Sequence, residues 1–260
     1  MMSQTDIQPQ AKFIENSHGQ KLAYIAHEGI KDAPCVVFCG GFKSDMRGSK
    51  AQFLENLCQE QDLSYVRFDY TGHGESDGAF EEGSIGSWRD DARDVLEHIC
   101  PQDRDIILVG SSMGGWISLL LARELPKRVT GLVLIAPAPD FTSEIWERLS
   151  AEQQALVTKN GIVDLPNDYS DEPYRLSKIL FDDGKNHHML HDEIAISCPV
   201  SILQGKLDKD VTWEKACRIQ EALKTESCDV ILIKDGGHSL SRPEDLKILG
   251  DTVLRHAQKL

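Results

Sequence analysis

The sequence predicts an α/β fold with a mostly parallel central sheet and helices on both of its faces. Three observations carry that expectation. Short apolar runs of strand length recur along the chain, and they are continuous rather than alternating, as in strands buried on both faces. Stretches with helical spacing of apolar residues separate these runs, which is the rhythm of a parallel sheet joined by crossover helices. The run Asp105-Ile106-Ile107-Leu108-Val109 also passes straight into Gly110-Ser111-Ser112-Met113-Gly114 and then into a helical stretch, giving strand, tight turn and helix in immediate succession.

Taken in order, segments 13–17 and 21–27 flank His18-Gly19-Gln20 and read as an opening hairpin. A buried strand at 35–39, a helix over 49–61 and a strand at 65–68 follow. The helix over 87–100 carries Trp88, Ala92, Val95 and Ile99 at three- and four-residue spacing, one apolar stripe. After it come the strand 106–109, a helix ending near Leu125, and a strand at 129–135. A strand at 199–203, a helix over 213–224, a strand at 230–233 and a helix over 243–256 complete the rhythm. Between Pro137 and Ile196 the rhythm breaks: no strand is evident, only helical pieces over 143–160 and 172–182 around Leu165-Pro166-Asn167-Asp168-Tyr169. An excursion of that length inside an alternating fold reads as a small helical cap or lid over residues 137–196 of a single domain spanning 1–260. A surface helical hairpin without a role in binding is the alternative.

At 260 residues, 40% hydrophobic and 27% charged, the chain has enough apolar material for one well-filled core. Its formal charge of −14 sets nucleic acid and anionic membrane surfaces aside as main partners. The seven cysteines contain no C-x-x-C pair, and several sit in apolar runs such as Cys35-Val36-Val37-Phe38-Cys39. They read as small buried hydrophobes in a reducing compartment. The N-terminal residues show neither a secretory apolar core nor an arginine-rich transit pattern, and no apolar run has membrane-spanning length. The expectation is a cytoplasmic protein, or a mature protein of the mitochondrial matrix; oligomeric state is left open.

The chemistry sits at Gly110-x-Ser112-x-Gly114. A serine in a sharp strand-to-helix turn needs small neighbours, and its hydroxyl is pushed out at the carboxyl end of the sheet. Serine is a poor nucleophile unless a base takes its proton and a third group orients that base. An acid and then a histidine, each in a loop after a later strand, would supply both. Gln204-Gly205-Lys206-Leu207-Asp208-Lys209-Asp210 and Lys234-Asp235-Gly236-Gly237-His238 present them in that order. Ser112 is therefore read as nucleophile, His238 as general base and acid, and Asp208 as the orienting carboxylate, with Asp210 its rival two residues away. The tetrahedral oxyanion calls for backbone donors: Met113 N–H at the start of the helix, and Phe42 N–H after Gly40-Gly41, where the backbone can approach closely. Gly41, Trp116 and Trp146 are assigned as substrate contacts. Apolar residues of the excursion (Trp146, Leu149, Ile162, Val163, Leu165) fit either an acyl pocket or the seam that fastens the excursion to the body. His187-His188-Met189-Leu190-His191 lacks a completing ligand set for a metal, and Gly72-His73-Gly74-Glu75-Ser76 lacks the Lys-Ser/Thr ending of a phosphate loop.

These residues resemble the α/β-hydrolase superfamily, through Arg67-Phe68-Asp69-Tyr70-Thr71-Gly72-His73-Gly74-Glu75-Ser76-Asp77-Gly78, the Ser112 turn, Gly205-Lys206-Leu207-Asp208-Lys209-Asp210-Val211 and His238. More narrowly, several segments look like the mitochondrial abhydrolase-domain palmitoyl-protein thioesterases, also acyl-glucuronide esterases, and their bacterial relatives. Those segments are Ile85-Gly86-Ser87-Trp88-Arg89-Asp90-Asp91, Leu108 to Trp116, Asp168-Tyr169-Ser170, His187 to His191 and Cys198-Pro199-Val200. The chain departs from many superfamily members in having Cys39-Gly40 where they have His-Gly. The resemblance implies cofactor-free hydrolysis of acyl thioesters or esters with Ser112, Asp208 and His238 as the triad. A carboxylesterase acting on small molecules is the neighbouring reading. The rival class is a non-catalytic binding module on the same fold; such proteins tend to lose a triad position, and all three are present here.

Overall fold

Apolar residues that alternate between two clusters along each central strand show why the runs are continuous. In the computed structural model, which describes residues 9–30, 33–166 and 173–258, β3 (Cys35–Cys39) sends Cys35, Val37 and Cys39 to one face and Val36 and Phe38 to the other. The same split occurs in β5 (Ile106–Ser111), with Ile106 and Leu108 opposite Ile107 and Val109, and in β6 (Val129–Ile135), with Leu132 and Leu134 opposite Val133 and Ile135. Because side chains alternate across a strand, burying both faces requires every residue to be apolar.

With β1 (Lys12–Glu15), β2 (Lys21–His27), β4 (Ser64–Phe68), β9 (Val200–Gly205) and β10 (Cys228–Ile233), these strands form one eight-stranded sheet in the order β1-β2-β4-β3-β5-β6-β9-β10. The first two pairings are antiparallel and the rest parallel. The helices α1 (Ser49–Glu60) and α8 (Pro243–Ala257) bury Ala51, Leu54, Leu249 and Val253 in the cluster on one face. On the other face lie α2 (Ile85–His98), α3 (Met113–Glu124) and α7 (Trp213–Ala222), represented by Trp88, Trp116 and Ile219. A buried ion pair joins α1 to the sheet: Arg67 of β4 donates to Glu55 at 2.5 Å and to the Met46 carbonyl at 2.6 Å.

Between β6 and β9 the structure departs from the sequence expectation in three ways. The helix expected over 143–160 is two helices, α4 (Phe141–Arg148) and α5 (Ala151–Asn160). Leu149 turns extended at the end of α4, and Ser150 starts α5 with a capping box, its hydroxyl accepting from Gln153 N while the Gln153 side chain accepts from Ser150 N. That Ser-x-x-Gln signal is visible in the sequence. The segment also contains strands: β7 (Ile162–Leu165) pairs antiparallel with β8 (Tyr174–Ser177). Four-residue strands with mixed burial carry too little periodicity to separate from loop. Finally, the piece expected as a helix over 172–182 is β8 followed by α6 (Lys178–Gly184), because the Ser177 hydroxyl caps Leu180 N and starts the helix there. Asp168, Tyr169 and Ser170 lie outside the described residues.

Leu149, Val157, Leu176, Phe181 and Ile196 of this excursion belong to the same apolar cluster as α2 and α3. Among the described residues no helix is long and apolar enough to cross a membrane.

Candidate active site

β5 ends in a strained turn. Ser112 has φ 52° and ψ −113°, a conformation unfavourable for a residue with a β-carbon. The strain is held by bonds on both sides: Ser112 N donates to Ile135 O at 2.9 Å, and Ser112 O accepts from Gly115 N at 2.9 Å and Ala138 N at 3.1 Å. The small neighbours are obligatory. A β-carbon at Gly114 would lie 2.0 Å from Cys39 O, and one at Gly110 2.4 Å from Gly114 O, so α3 starts in backbone contact with β3. Every residue from Met113 to Ala122 is buried.

The loops after β9 and β10 also touch through backbone. A β-carbon at Gly205 would meet Gly236 O at 2.4 Å, and Leu207 N donates to Gly236 O at 2.9 Å. That contact places Asp208 beside His238. His238 Nδ1 lies 2.8 Å from Asp208 Oδ2, and His238 Nε2 lies 3.1 Å from Ser112 Oγ. A carboxylate accepts only, so the imidazole proton sits on Nδ1 and Nε2 accepts from the serine hydroxyl.

Asp208 is 8% exposed, and both of its oxygens are used. Oδ1 accepts from Asp210 N and Val211 N at 2.9 Å each, and Oδ2 also accepts from Gln204 Nε2 at 3.0 Å. Burial pushes its carboxyl up, but the hydrogen bond and charge of His238 and the two backbone N–H groups outweigh it and hold the pKa below the ordinary value. Asp208 is bonded to the imidazole, while its neighbour Asp210 gives Asp208 its backbone N–H and lines the cavity. Sequence reasoning missed Gln204. Its amide also donates to Val211 O at 2.9 Å, clamping the loop. Its only signal was a polar side chain at the end of an apolar strand.

A cavity of about 870 Å³ opens at Ser112 and His238, within the usual range of small-molecule sites. Gly41, Phe42, Phe141, Ile145, Leu165, Tyr174 and Leu176 give it an apolar wall, and Lys43, Asp45, Lys50, Glu144, Arg148 and Asp210 add charges. Gly41 approaches the serine closely: a β-carbon there would sit 3.5 Å from Ser112 Cβ. Phe42 joins the wall directly after it, and its ring packs against Phe80, Phe141 and Tyr174 with centroids 4.8, 5.5 and 5.8 Å away. Met113 is the first residue of α3, so its N–H has no acceptor within the helix.

The two tryptophans assigned to substrate lie elsewhere. Trp116 is fully buried, donates its indole N–H to His187 O at 3.0 Å, and meets Phe141 edge-on. Trp146 packs on Phe181 at 5.2 Å and under Lys185. Of the other apolar residues in the excursion, Leu165 is on the cavity wall, whereas Leu149 and Val163 are buried in the apolar cluster that also contains residues of α2 and α3. The histidine tract is engaged locally: His187 faces Asp183 at 3.4 Å, and His188 bonds Ser143 at 2.5 Å and His191 at 3.1 Å.

Known proteins are similar to this chain in sequence and in fold. The family model described as serine aminopeptidase, S33, matches residues 31–183. The mitochondrial palmitoyl-protein thioesterase ABHD10 of Mus musculus is 34% identical over 242 residues, covering 93% of this chain and 80% of the relative. A crystal structure of a putative hydrolase from Agrobacterium vitis S4 superposes with a TM-score of 0.91 at 37% identity, over 96% of this chain and 100% of that one. The structure of mouse alpha/beta hydrolase domain-containing protein 10 superposes with a TM-score of 0.88 at 32% identity, over 96% of this chain and 99% of that one.

Proposed function

The chain belongs to the serine aminopeptidase S33 family of α/β-hydrolases, and from that premise we propose that it hydrolyses acyl thioesters or carboxylic esters through an acyl-enzyme on Ser112. It is an ester or thioester hydrolase by its relatives; the residues and the substrate class are our reading. The observation that carries it is the relay of 2.8 Å and 3.1 Å from Asp208 through His238 to a serine held at positive φ on a cavity wall.

Ser112 Oγ attacks the acyl carbonyl while His238 Nε2 takes its proton. The carbonyl oxygen becomes an oxyanion that the Phe42 and Met113 N–H groups receive, the latter at the positive end of α3. Collapse of this adduct breaks the carbon–sulfur or carbon–oxygen bond, and His238 returns the proton to the leaving thiolate or alkoxide. Water, deprotonated by the same imidazole, then releases the carboxylic acid from Ser112. Asp208 stays ionised throughout and stabilises the imidazolium.

The excursion between β6 and β9 acts in this reading as a cap: Phe141, Ile145, Leu165 and Leu176 supply an apolar lining suited to an acyl chain. The name of the mouse relative points to S-palmitoylated protein substrates; small-molecule esters, acyl glucuronides among them, fit the same chemistry. The relatives' mitochondrial designation and seven free cysteines, five of them buried, support a reducing compartment, either cytoplasm or mitochondrial matrix.

A fluorophosphonate probe tests the reading. Wild-type protein is expected to be labelled and to turn over a medium-chain acyl thioester and an aryl ester, and S112A to lose labelling and both activities. An unlabelled wild type would support a binding module, and a peptide anilide cleaved as fast as the ester would support the aminopeptidase activity in the family's description.

A further inference from the structure

His73 belongs to none of the groups assigned above, yet it is buried between the cavity and the core at 4% exposure. Its loop leaves it little freedom. Gly72 and Gly74 on either side adopt φ +75° and +46°, and a β-carbon at Gly72 would lie 2.7 Å from the Phe80 backbone. Tyr70, Phe80 and Trp88 surround the imidazole edge-on at 5.6, 5.2 and 5.2 Å.

The two ring nitrogens face different partners. Nδ1 lies 3.2 Å from the Thr71 carbonyl, which only accepts, so Nδ1 carries the proton. Nε2 is then a bare acceptor, and it receives the Lys43 N–H at 3.3 Å. Burial, joined by the nearby charge of Lys43, drives the ring's pKa down to about 4 against the opposing pull of the Thr71 bond. The ring is therefore neutral at neutral pH and the acceptor persists.

Lys43 is strained, with φ +56°, a left-handed value that a residue with a β-carbon adopts only at a cost. It stands in the tight turn Gly41-Phe42-Lys43-Ser44, where Gly41 O accepts from Ser44 N at 3.2 Å and from Ser44 Oγ at 2.7 Å. Those two bonds hold the Gly41–Phe42 peptide, whose N–H is that of Phe42, by its carbonyl end only. The next peptide, Phe42–Lys43, is free to rotate and relieve the strain unless its N–H is held. His73 holds it.

We propose that His73 is a positioning residue for the oxyanion hole: by accepting the Lys43 N–H it holds the peptide on the far side of the Phe42 α-carbon, so that the turn, anchored at Gly41 O and at Lys43 N, cannot relax about Phe42 and the Phe42 N–H stays aimed at the carbonyl oxygen of a substrate on Ser112. The inference rests on the proposed serine-hydrolase function. Its chemistry is preorganisation, since a donor that must be re-aimed during the reaction loses much of its worth to the transition state.

Two substitutions separate this role from plain packing. H73F keeps a ring of similar size without an acceptor; H73Q loses the ring but can place an amide oxygen near the position of Nε2. With an aryl ester, H73F is expected to lower kcat on the order of 100-fold, the range seen on removing one oxyanion donor, with KM within about twofold. Inhibition by an alkyl boronic acid, whose tetrahedral adduct on Ser112 occupies the hole, weakens in parallel, and H73Q recovers most of both losses. Equal impairment in the two variants, a change confined to KM, or an H73F enzyme with wild-type kcat would overturn the proposal. Should H73F fail to fold, ¹⁵N NMR of histidine-labelled wild type decides: a proton on Nδ1 and a coupling from the Lys43 amide to Nε2 support the role, and a proton on Nε2 refutes it. The parent reading fails separately, if the boronate does not bond to Ser112 or S112A stays active.

Discussion

Asp208 has four hydrogen-bond partners on two oxygens, the His238 imidazole among them. An asparagine there presents an N–H₂ where His238 Nδ1–H needs an acceptor, and favours the tautomer that cannot take the serine proton. D208N is expected to lower kcat about 10⁴-fold while the protein still folds, and D210N to be the much milder change in the same assay. The reverse pattern would move the acid role to Asp210. His73 makes a second prediction at this scale. Its pKa is about 4 in the folded protein against 6.5 unperturbed, so between those values the unfolded chain holds a proton the folded one does not. The stability it contributes is full above about pH 6.5 and is lost as pH falls toward 4, by up to ~3 kcal/mol. Urea titrations at pH 7 and pH 4.5 should show that much steeper loss in wild type than in H73Q; parallel losses would show the ring titrating normally.

Helices and strands meet at this site through backbone, and the glycines record where. At Gly114 the obstacle is the Cys39 carbonyl at 2.0 Å, which cannot move without shifting β3 or α3. G114A is expected to cost at least ~3 kcal/mol in chemical denaturation, the upper range for overpacking. At Gly161, which ends α5 at φ +80° with open space around it, alanine meets only the left-handed penalty of ~1 kcal/mol. Equal costs at both positions would mean that the α3–β3 contact is softer than the geometry indicates. The central strands and their helices were legible because each announces itself locally, by a continuous apolar run or a stripe at helical spacing. The hairpin β7–β8 was not, because its four-residue strands are specified by pairing with each other rather than by any pattern within either one. The break between α4 and α5 lay between these cases: the Ser150–Gln153 capping box was in the sequence, but the helical spacing on both sides masked it.

Over the whole molecule, polar contacts fasten the excursion to the body around the cavity. Lys215 of α7 bonds Glu144 of α4 at 2.6 Å and the Pro139 carbonyl at 3.1 Å, while Asp183 accepts from Gly86 N at 2.7 Å. Leu149 and Val163 are buried in the apolar cluster, and Phe141, Ile145, Leu165 and Leu176 line the cavity. If the acyl chain lies along that wall, L176W fills part of its path. Turnover of a palmitoyl thioester is expected to fall at least ~10-fold further than that of a butyryl thioester, an effect equivalent to ~1.4 kcal/mol. A uniform loss across chain lengths would place the chain elsewhere.

The alternation of strands and helices, the sharp serine turn, and the chain order of serine, acid and histidine can all be read from the residues in order. Each is written in contiguous residues, through side-chain periodicity and the small residues a sharp turn needs. What needed the folded chain is the contact of Asp208 with the imidazole, the absence of Trp116 and Trp146 from the cavity lining, and the places of Gln204 beside Asp208 and of His73 beside the Lys43 N–H. These depend on distances between residues as far apart in the chain as Ser112 and His238, separated by 126 positions and joined at 3.1 Å. A hydrogen bond falls off within a fraction of an ångström, so only the folded backbone can determine whether two such groups share one.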